Sequence, residues 1–388
     1  MKILIITNLY PPQVLGGYER SIADFARLLQ HRGHGVLVLT SDTQELSGSH
    51  VSPYPDPEID RSLLLCGQWH QERGPEWLSP EQIVEINRQN SQTLSRHLQM
   101  FQPDVCLLGN ATFLQVELLE QVLEAQVPIA HYVMNEQPGY PPPLTPQSPQ
   151  YRYVTCSDWV TQVLQEKGYP TETAQTIYPG AAVEEFYQTE LPPRDQLRIA
   201  YASLVMHYKG ADVLVEALCL LHAVGIEFTA TIAGNTLTPK FVEALQSLIE
   251  SEGMQDRVTF PGVLSRQELS QLYKTHNVLA FPSRFQEPFG ISQVEAMAAG
   301  LTLITSGTGG AGEIVEHGQD GLLFESENPF DLADALSFLA ANPTEWAAIA
   351  QRGQQKALTQ FSQTRAVEQL EAVFQALTKE RLKAKDKG

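Results

Sequence analysis

Val278-Leu279-Ala280-Phe281-Pro282-Ser283-Arg284-Phe285-Gln286-Glu287-Pro288-Phe289-Gly290-Ile291-Ser292-Gln293-Val294-Glu295-Ala296-Met297 changes character twice along its length. The apolar run Val278–Phe281, stopped by Pro282, reads as a buried strand. Pro288 disfavours helix at the residue before it, so Glu287 belongs to a loop. A helix then begins near Gly290 and carries Glu295 in its first or second turn. Strand, loop and helix start make half of a βα unit.

The same unit recurs on both sides. In the first half, strand-like runs fall at Ile3–Thr7, Val36–Thr40, Val105–Leu108, Ile129–Val133 and Tyr153–Cys156. Between the first two, Ile22, Phe25, Ala26 and Leu29 recur at helical spacing. In the second half the runs are Arg198–Ala202, Phe228–Ala233, Val258–Phe260, Val278–Phe281 and Thr302–Thr305. Ser265-Arg266-Gln267-Glu268 is a capping box and marks a helix start. Two βα series predict an α/β chain of two doubly wound, Rossmann-like domains. Residues 1–190 form the first and 191–362 the second, with a break near Leu191-Pro192-Pro193. Residues 363–388 form a C-terminal helix that braces the junction, with a frayed basic tail. The proline-rich Pro138–Pro149 stretch is expected to be a loop. Residues 42–80 read as an irregular insertion, of the kind that often faces a substrate.

Composition narrows the partners. With 388 residues and 43% hydrophobic content, the chain holds enough apolar material for two cores. A formal charge of −19 disfavours nucleic acid and anionic lipid. Cys66, Cys106, Cys156 and Cys219 are widely spaced and are read as buried thiols, not disulfides or a zinc site. The N-terminus has only a short apolar run, and no stretch approaches the roughly 20 apolar residues of a membrane helix. A cytoplasmic protein without integral membrane association is the expectation.

Doubly wound domains bind ligands at the carboxyl ends of their strands, so a shared ligand is expected in the cleft between the two. Amides near Phe289, Gly290, Ile291 and Ser292 lie at a helix start and suit a diphosphate. Glu287 and Glu295 are eight residues apart, at most ~12 Å along an ideal helix axis. That distance matches the reach from a ribose across a diphosphate to a hexose. A carboxylate that accepts two hydrogen bonds suits a vicinal diol, which both sugars offer. Gly16-Gly17, between the first strand and its helix, lets backbone amides approach a phosphate or an acceptor.

Glu287 and Glu295 in this context resemble the Glu-x7-Glu signature of GT4-type retaining glycosyltransferases, which have the GT-B fold. The likeness extends over nearly the whole chain. It includes Gly16-Gly17-Tyr18-Glu19-Arg20, Gly33-His34-Gly35-Val36, Lys209-Gly210 and Gly309-Gly310-Ala311-Gly312-Glu313-Ile314-Val315. The resemblance implies an acceptor-binding first domain and a donor-binding second domain. It implies that Glu287 binds hexosyl hydroxyls, Glu295 the ribose, and Lys209 the diphosphate together with the Phe289–Ser292 amides. It also implies that Pro261–Val263 lines the base pocket, and that His131 contacts the donor hexose from a strand end facing the cleft. Tyr132 follows His131 where the family pattern has aspartate. The family arginine ahead of Lys209 is replaced, since Ala202-Ser203-Leu204 stands there. Ser203 brings no charge, and Arg284 or His207 is the candidate substitute. The GxGxxG match at Gly307–Gly312 lies late in its domain and fits a donor loop better than a dinucleotide fold.

The resulting expectation is a retaining hexosyltransferase using a nucleotide-sugar donor, UDP-glucose being the commonest choice. Glu287, His131 and Lys209 are its catalytic candidates. No Asp-x-Asp occurs in the chain, so neither a catalytic metal nor a cofactor is expected. The acceptor is a sugar, a sugar phosphate or a glycan, and Arg61 and Arg73, with His70 and Arg88 nearby, are candidates to meet an acceptor phosphate. A sucrose-phosphate-synthase-like transfer to a hexose phosphate is one alternative. A two-lobed sugar or nucleotide-sugar binding protein is another, and an epimerase or hydrolase on the same fold a third.

Overall fold

The computed structural model describes residues 1–43, 54–70 and 74–385. They divide into two compact units, Met1–Tyr178 with Ala366–Gly388, and Pro179–Arg365. The division falls ahead of the expected break at 190/191.

The first unit runs β1 (Lys2–Ile6), α1 (Gly17–His31), β2 (Gly35–Ser41), β3 (Glu58–Leu63), β4 (Gly67–His70), β5 (Gly74–Trp77), α2 (Pro80–Phe101), β6 (Val105–Leu108), α3 (Glu117–Glu124), β7 (Ile129–Val133), β8 (Tyr151–Thr155), α4 (Asp158–Glu166) and β9 (Gln175–Thr176). Its main sheet has the order β3-β2-β1-β6-β7-β8-β9, with every pair parallel. Ile3, Leu4 and Ile5 are fully buried, as strands covered on both faces must be. Helix α1 buries Ile22, Phe25, Ala26 and Leu29.

The 42–80 stretch is not simply irregular. Strand β3 extends the sheet beside β2, and β4 and β5 form an antiparallel hairpin. Trp69 and Trp77 of that hairpin meet Phe113 edge-on at 4.7 and 5.1 Å. Strand β3 carries Glu58, Asp60 and Arg61 because it is an edge strand, where charge is tolerated and the apolar pattern fades. The Pro138–Pro149 stretch is a loop apart from a single 3-10 turn at Pro142–Leu144.

The second unit runs α5 (Val183–Phe186), β10 (Leu197–Ala202), α6 (Ala211–Ala223), β11 (Phe228–Ala233), α7 (Pro239–Ser251), β12 (Val258–Gly262), α8 (Arg266–Thr275), β13 (Val278–Phe281), α9 (Ile291–Ala298), β14 (Thr302–Thr305), β15 (Leu322–Leu323), α10 (Pro329–Ala341) and α11 (Pro343–Gln360). Its sheet has the order β12-β11-β10-β13-β14-β15, all parallel. Strand order reverses between β10 and β13, as it does between β1 and β6 in the first unit.

Helix α12 (Gln363–Lys385) begins in the second unit and belongs to the first from Ala366 onward. It buries Ala366, Val367, Leu370, Val373, Phe374 and Leu377, a helical stripe. The helix outlasts the frayed end expected from its basic composition. Glu380 pairs with Arg152 at 3.1 Å, and Arg381 donates to the Gln126 carbonyl.

Candidate functional site

In open α/β sheets, ligands bind beyond the carboxyl ends of the strands where the order reverses. In the second unit those ends belong to β10 and β13. Beyond β10 lie Ser203 and, one 3-10 turn later, Lys209. Gly210 closes that turn with φ +72°. A Cβ there would sit 1.8 Å from the Pro282 carbonyl oxygen, so only glycine lets this turn lie against the loop beyond β13. The Arg284 and Phe285 amides both donate to the Tyr208 carbonyl at 3.0 Å. This backbone seam puts Lys209 beside Glu287.

The Lys209 ammonium donates to Glu287 Oε1, and the Ser283 hydroxyl donates to the same oxygen at 2.7 Å. The ammonium also lies 4.7 Å from the Phe285 ring centre and 5.5 Å from that of Tyr208. Both rings are partly exposed. Burial raises the Tyr208 phenol, and the nearby Glu287 carboxylate adds to that. The Glu287 backbone is held by the glycine-rich segment beyond β14, where the Gly310 amide donates to its carbonyl at 2.7 Å. Gly309 has φ +66°, and a Cβ there would lie 2.5 Å from that carbonyl. The Gly307–Gly312 motif thus buttresses the Glu287 loop.

Arg284 does not stand in for the missing family arginine in this arrangement. Its guanidinium grips Asp212 at 2.7 and 3.0 Å and donates to the His207 carbonyl at 2.6 Å. The bond to Asp212 raises its pKa above the ordinary value. The His207 ring is largely exposed, 3.6 Å from Asp212. The Ser203 amide donates to the Ala233 carbonyl at 3.2 Å. Lys209 is the side-chain cation bonded to Glu287.

Helix α9 starts after Gly290, which has φ +105°. The Gln293 amide donates back to the Gly290 carbonyl at 3.1 Å, and the Ile291 and Ser292 amides ahead of it lie at the helix start, where an anion can bind. Phe289 is buried and packs on Phe361 at 5.7 Å, which fixes the entry to the helix. One turn on, Glu295 is 7% exposed and accepts from Arg266 at 3.3 Å. Pro261 lies in the edge strand β12, where a missing amide is tolerated. Val263 beyond it is exposed, an apolar surface open to a ligand. Ser283, Asp212 and Arg266 escaped sequence reasoning, because their partners are distant in the chain and pairing carries no local signature.

The first unit holds the other candidates, and there the expectations need correction. His131 does not end its strand. It is the middle residue of β7, fully buried, and its Nδ1 meets the Tyr151 hydroxyl at 2.5 Å. Tyr140 and Tyr153 complete a hydroxyl cluster around it. Burial pulls its imidazole down to about 3, and the Gly109 backbone offsets only part of that. The apolar run ends at Val133, and all five residues of β7 are buried, so His131 is enclosed inside a strand covered on both faces. Arg61 donates to the carbonyls of Tyr10 and Pro11 and, at 2.6 Å, to Gln13. It braces the loop after β1. Arg88 pairs with Glu85 on the surface. Arg73 lies outside the described residues. The Gly16 amide, expected to face a phosphate, donates to Glu19 Oε2 at 2.9 Å, the N-terminal cap of α1, and Gly17 is exposed beside it. Glu19 is itself buried, and its place three residues after Gly16 was a readable cap signal.

Among the described residues, no three His, Cys, Asp or Glu side chains gather as metal ligands, and no helix is long and apolar enough to cross a membrane. Cys66, Cys106 and Cys156 are buried, Cys219 is partly so, and all four are free thiols.

Residues 183–356 match the family described as glycosyl transferases group 1. The D-inositol 3-phosphate glycosyltransferase of Arthrobacter sp. (strain FB24) is 31% identical over 153 residues, 39% of this chain and 36% of that protein. The chain thus spans about a third of the length of that curated relative. Among solved structures, HepE of Anabaena in complex with UDP and glucose superposes with a TM-score of 0.71 at 20% identity, covering 97% of this chain and 100% of that one. The sucrose-phosphate synthase of Thermosynechococcus elongatus gives 0.71 at 18% identity, covering 97% and 99%. These likenesses give the fold, GT-B, and residues 183–356 carry the match to the group 1 glycosyl transferases.

Proposed function

We propose that the chain is a retaining glycosyltransferase that moves a hexosyl group, glucosyl from UDP-glucose, to an acceptor hydroxyl without a catalytic metal. The observation that carries this reading is the Lys209–Glu287–Ser283 group at the reversal of strand order, with the start of α9 and Glu295 just downstream. Each member of the Lys209–Glu287 pair has an equivalent partner on a nucleotide sugar. The ammonium passes from carboxylate to diphosphate oxygen, and the carboxylate passes from ammonium to sugar hydroxyls. Lys209 and the α9 amides then stabilise the charge that grows on the departing diphosphate. Glu287 orients the sugar, and Glu295 holds the ribose.

UDP-glucose as donor is supported by HepE, whose complex holds UDP and glucose. Retention rests on family resemblance. Metal independence rests on the missing Asp-x-Asp and on Lys209 as the available cation. His131, enclosed in its tyrosine cluster, has no part in this proposal.

A second reading sharpens the acceptor. By their names, the Arthrobacter relative and the Thermosynechococcus enzyme both handle phosphorylated polyols or sugars. A hexose or polyol phosphate is therefore a favoured acceptor. Arg61, already bonded to backbone carbonyls, is not the residue to receive its phosphate.

The test is a screen of nucleotide sugars against sugars, sugar phosphates and glycans, run with and without excess EDTA. We expect UDP release from UDP-glucose that depends on an acceptor and survives the chelator. Activity lost with EDTA and restored by magnesium or manganese contradicts metal independence. Tight UDP-glucose binding with no release under any acceptor supports a binding protein instead.

A further inference from the structure

Arg266 stands where three elements of the second unit meet. It is the first residue of α8, fixed by a capping box in which Ser265 and Glu268 satisfy one another's amides. From there its guanidinium reaches Glu295 of α9 at 3.3 Å through one nitrogen and Glu185 of α5 at 2.5 Å through another. Its face lies 5.0 Å from the ring centre of Phe186, also on α5. Tyr273, seven residues along the same helix and so on the same face, is fully buried. Its hydroxyl has no hydrogen-bond partner among the described residues. Burial raises this phenol well above its usual range, and Glu295 is the one charged group that adds to the effect.

Glu295 is thus a nearly buried carboxylate with aromatic rings close by. Removing a carboxylate from water is costly without a paired cation. Arg266 is that cation, and it is held on its far side by Glu185 and Phe186. Two carboxylates share this guanidinium. A carboxylate oxygen accepts from neutral hydroxyl donors. Without the guanidinium, Glu185 and Glu295 would face one another as like charges.

We infer that Arg266 is a positioning residue for the nucleoside end of the donor, holding the Glu295 carboxylate aimed at a ribose diol. The inference rests on the reading of Glu295 as the ribose carboxylate. Arg266 touches no reacting atom. It acts through Glu295, and Glu185 sets the angle from which it does so.

The readout is the ratio of affinities for UDP and 2′-deoxy-UDP, measured by calorimetry on the full chain. The wild type is expected to prefer UDP by about tenfold, the worth of one hydrogen bond to a charged group. Glu295→Ala removes the preference. Arg266→Ala lowers it at least threefold, and Arg266→Lys falls between, because lysine keeps the charge but cannot fork to both carboxylates. The lysine variant serves if the alanine variant does not fold. A brace that merely ties α8 to α5 would weaken both ligands alike and leave the ratio unmoved. A ratio lost in Glu295→Ala but at wild-type value in both Arg266 variants overturns the inference and spares the reading of Glu295. A ratio unchanged in Glu295→Ala overturns both. A ratio that rises in Arg266→Ala shows Arg266 competing with the ribose and also overturns the inference.

Discussion

The two units share a strand order, yet the loops at their reversal points use charge differently. After β1, Arg61 is bonded to the Tyr10 and Pro11 carbonyls, the Gly16 amide to Glu19, and the Tyr10 hydroxyl to Asp56 at 3.2 Å. After β10 and β13, the principal contact is a lysine on a glutamate, flanked by two partly exposed rings. An arginine that leaves backbone carbonyls strands them unsatisfied. A lysine and a glutamate that part can each find a new partner on a nucleotide sugar. The comparison teaches that a charged residue in a loop of the right topology is a ligand candidate only if its present partners can be exchanged.

The largest expected effect is at the exchangeable pair. Lys209→Ala removes a charged hydrogen bond to the diphosphate, worth ~1.5–3 kcal/mol, or roughly ten- to a hundred-fold in affinity. Calorimetry with UDP checks it, and unchanged affinity would move the donor site elsewhere. Arg61→Ala should have the opposite profile. Stability falls by about 1–3 kcal/mol through the stranded carbonyls, seen as a lower urea midpoint, while UDP affinity stays at the wild-type value. A smaller effect belongs to His131. An unfolded histidine titrates near ~6.5, and His131 in the folded chain near 3. Between those values the unfolded chain binds the extra proton. Stability contributed by the neutral form is therefore complete above the upper value and is lost as pH falls toward the lower one, on the order of 2 kcal/mol by pH 5. Urea midpoints at pH 7 and pH 5 should differ less in His131→Gln than in the wild type. An equal difference would mean that His131 meets water in the folded chain.

Most of this architecture was legible because parallel strands covered on both faces read as unbroken apolar runs. Val105–Leu108, Ile129–Val133, Phe228–Ala233, Val278–Phe281 and Thr302–Thr305 fall where the runs place them. Edge strands resist such reading, and β3, which carries Glu58, Asp60 and Arg61, was missed for that reason. The loop holding Glu287 and the helix holding Glu295 were readable through Pro288 and Gly290, which punctuate the backbone. Charge partners were not. Arg284 with Asp212, Arg61 with Tyr10 and Arg266 with Glu295 join residues far apart in the chain. The enclosure of His131 follows from β7 running two residues past it, an end point that composition alone does not fix.

The central claim is that Glu287 serves the sugar and Glu295 the nucleoside within one donor site on the second unit. Calorimetric titration of UDP into the Glu287→Ala and Glu295→Ala variants tests it most directly. The account predicts that Glu295→Ala weakens UDP binding while Glu287→Ala leaves it nearly intact and abolishes glucosyl transfer. Equal weakening of UDP binding by both substitutions would contradict it.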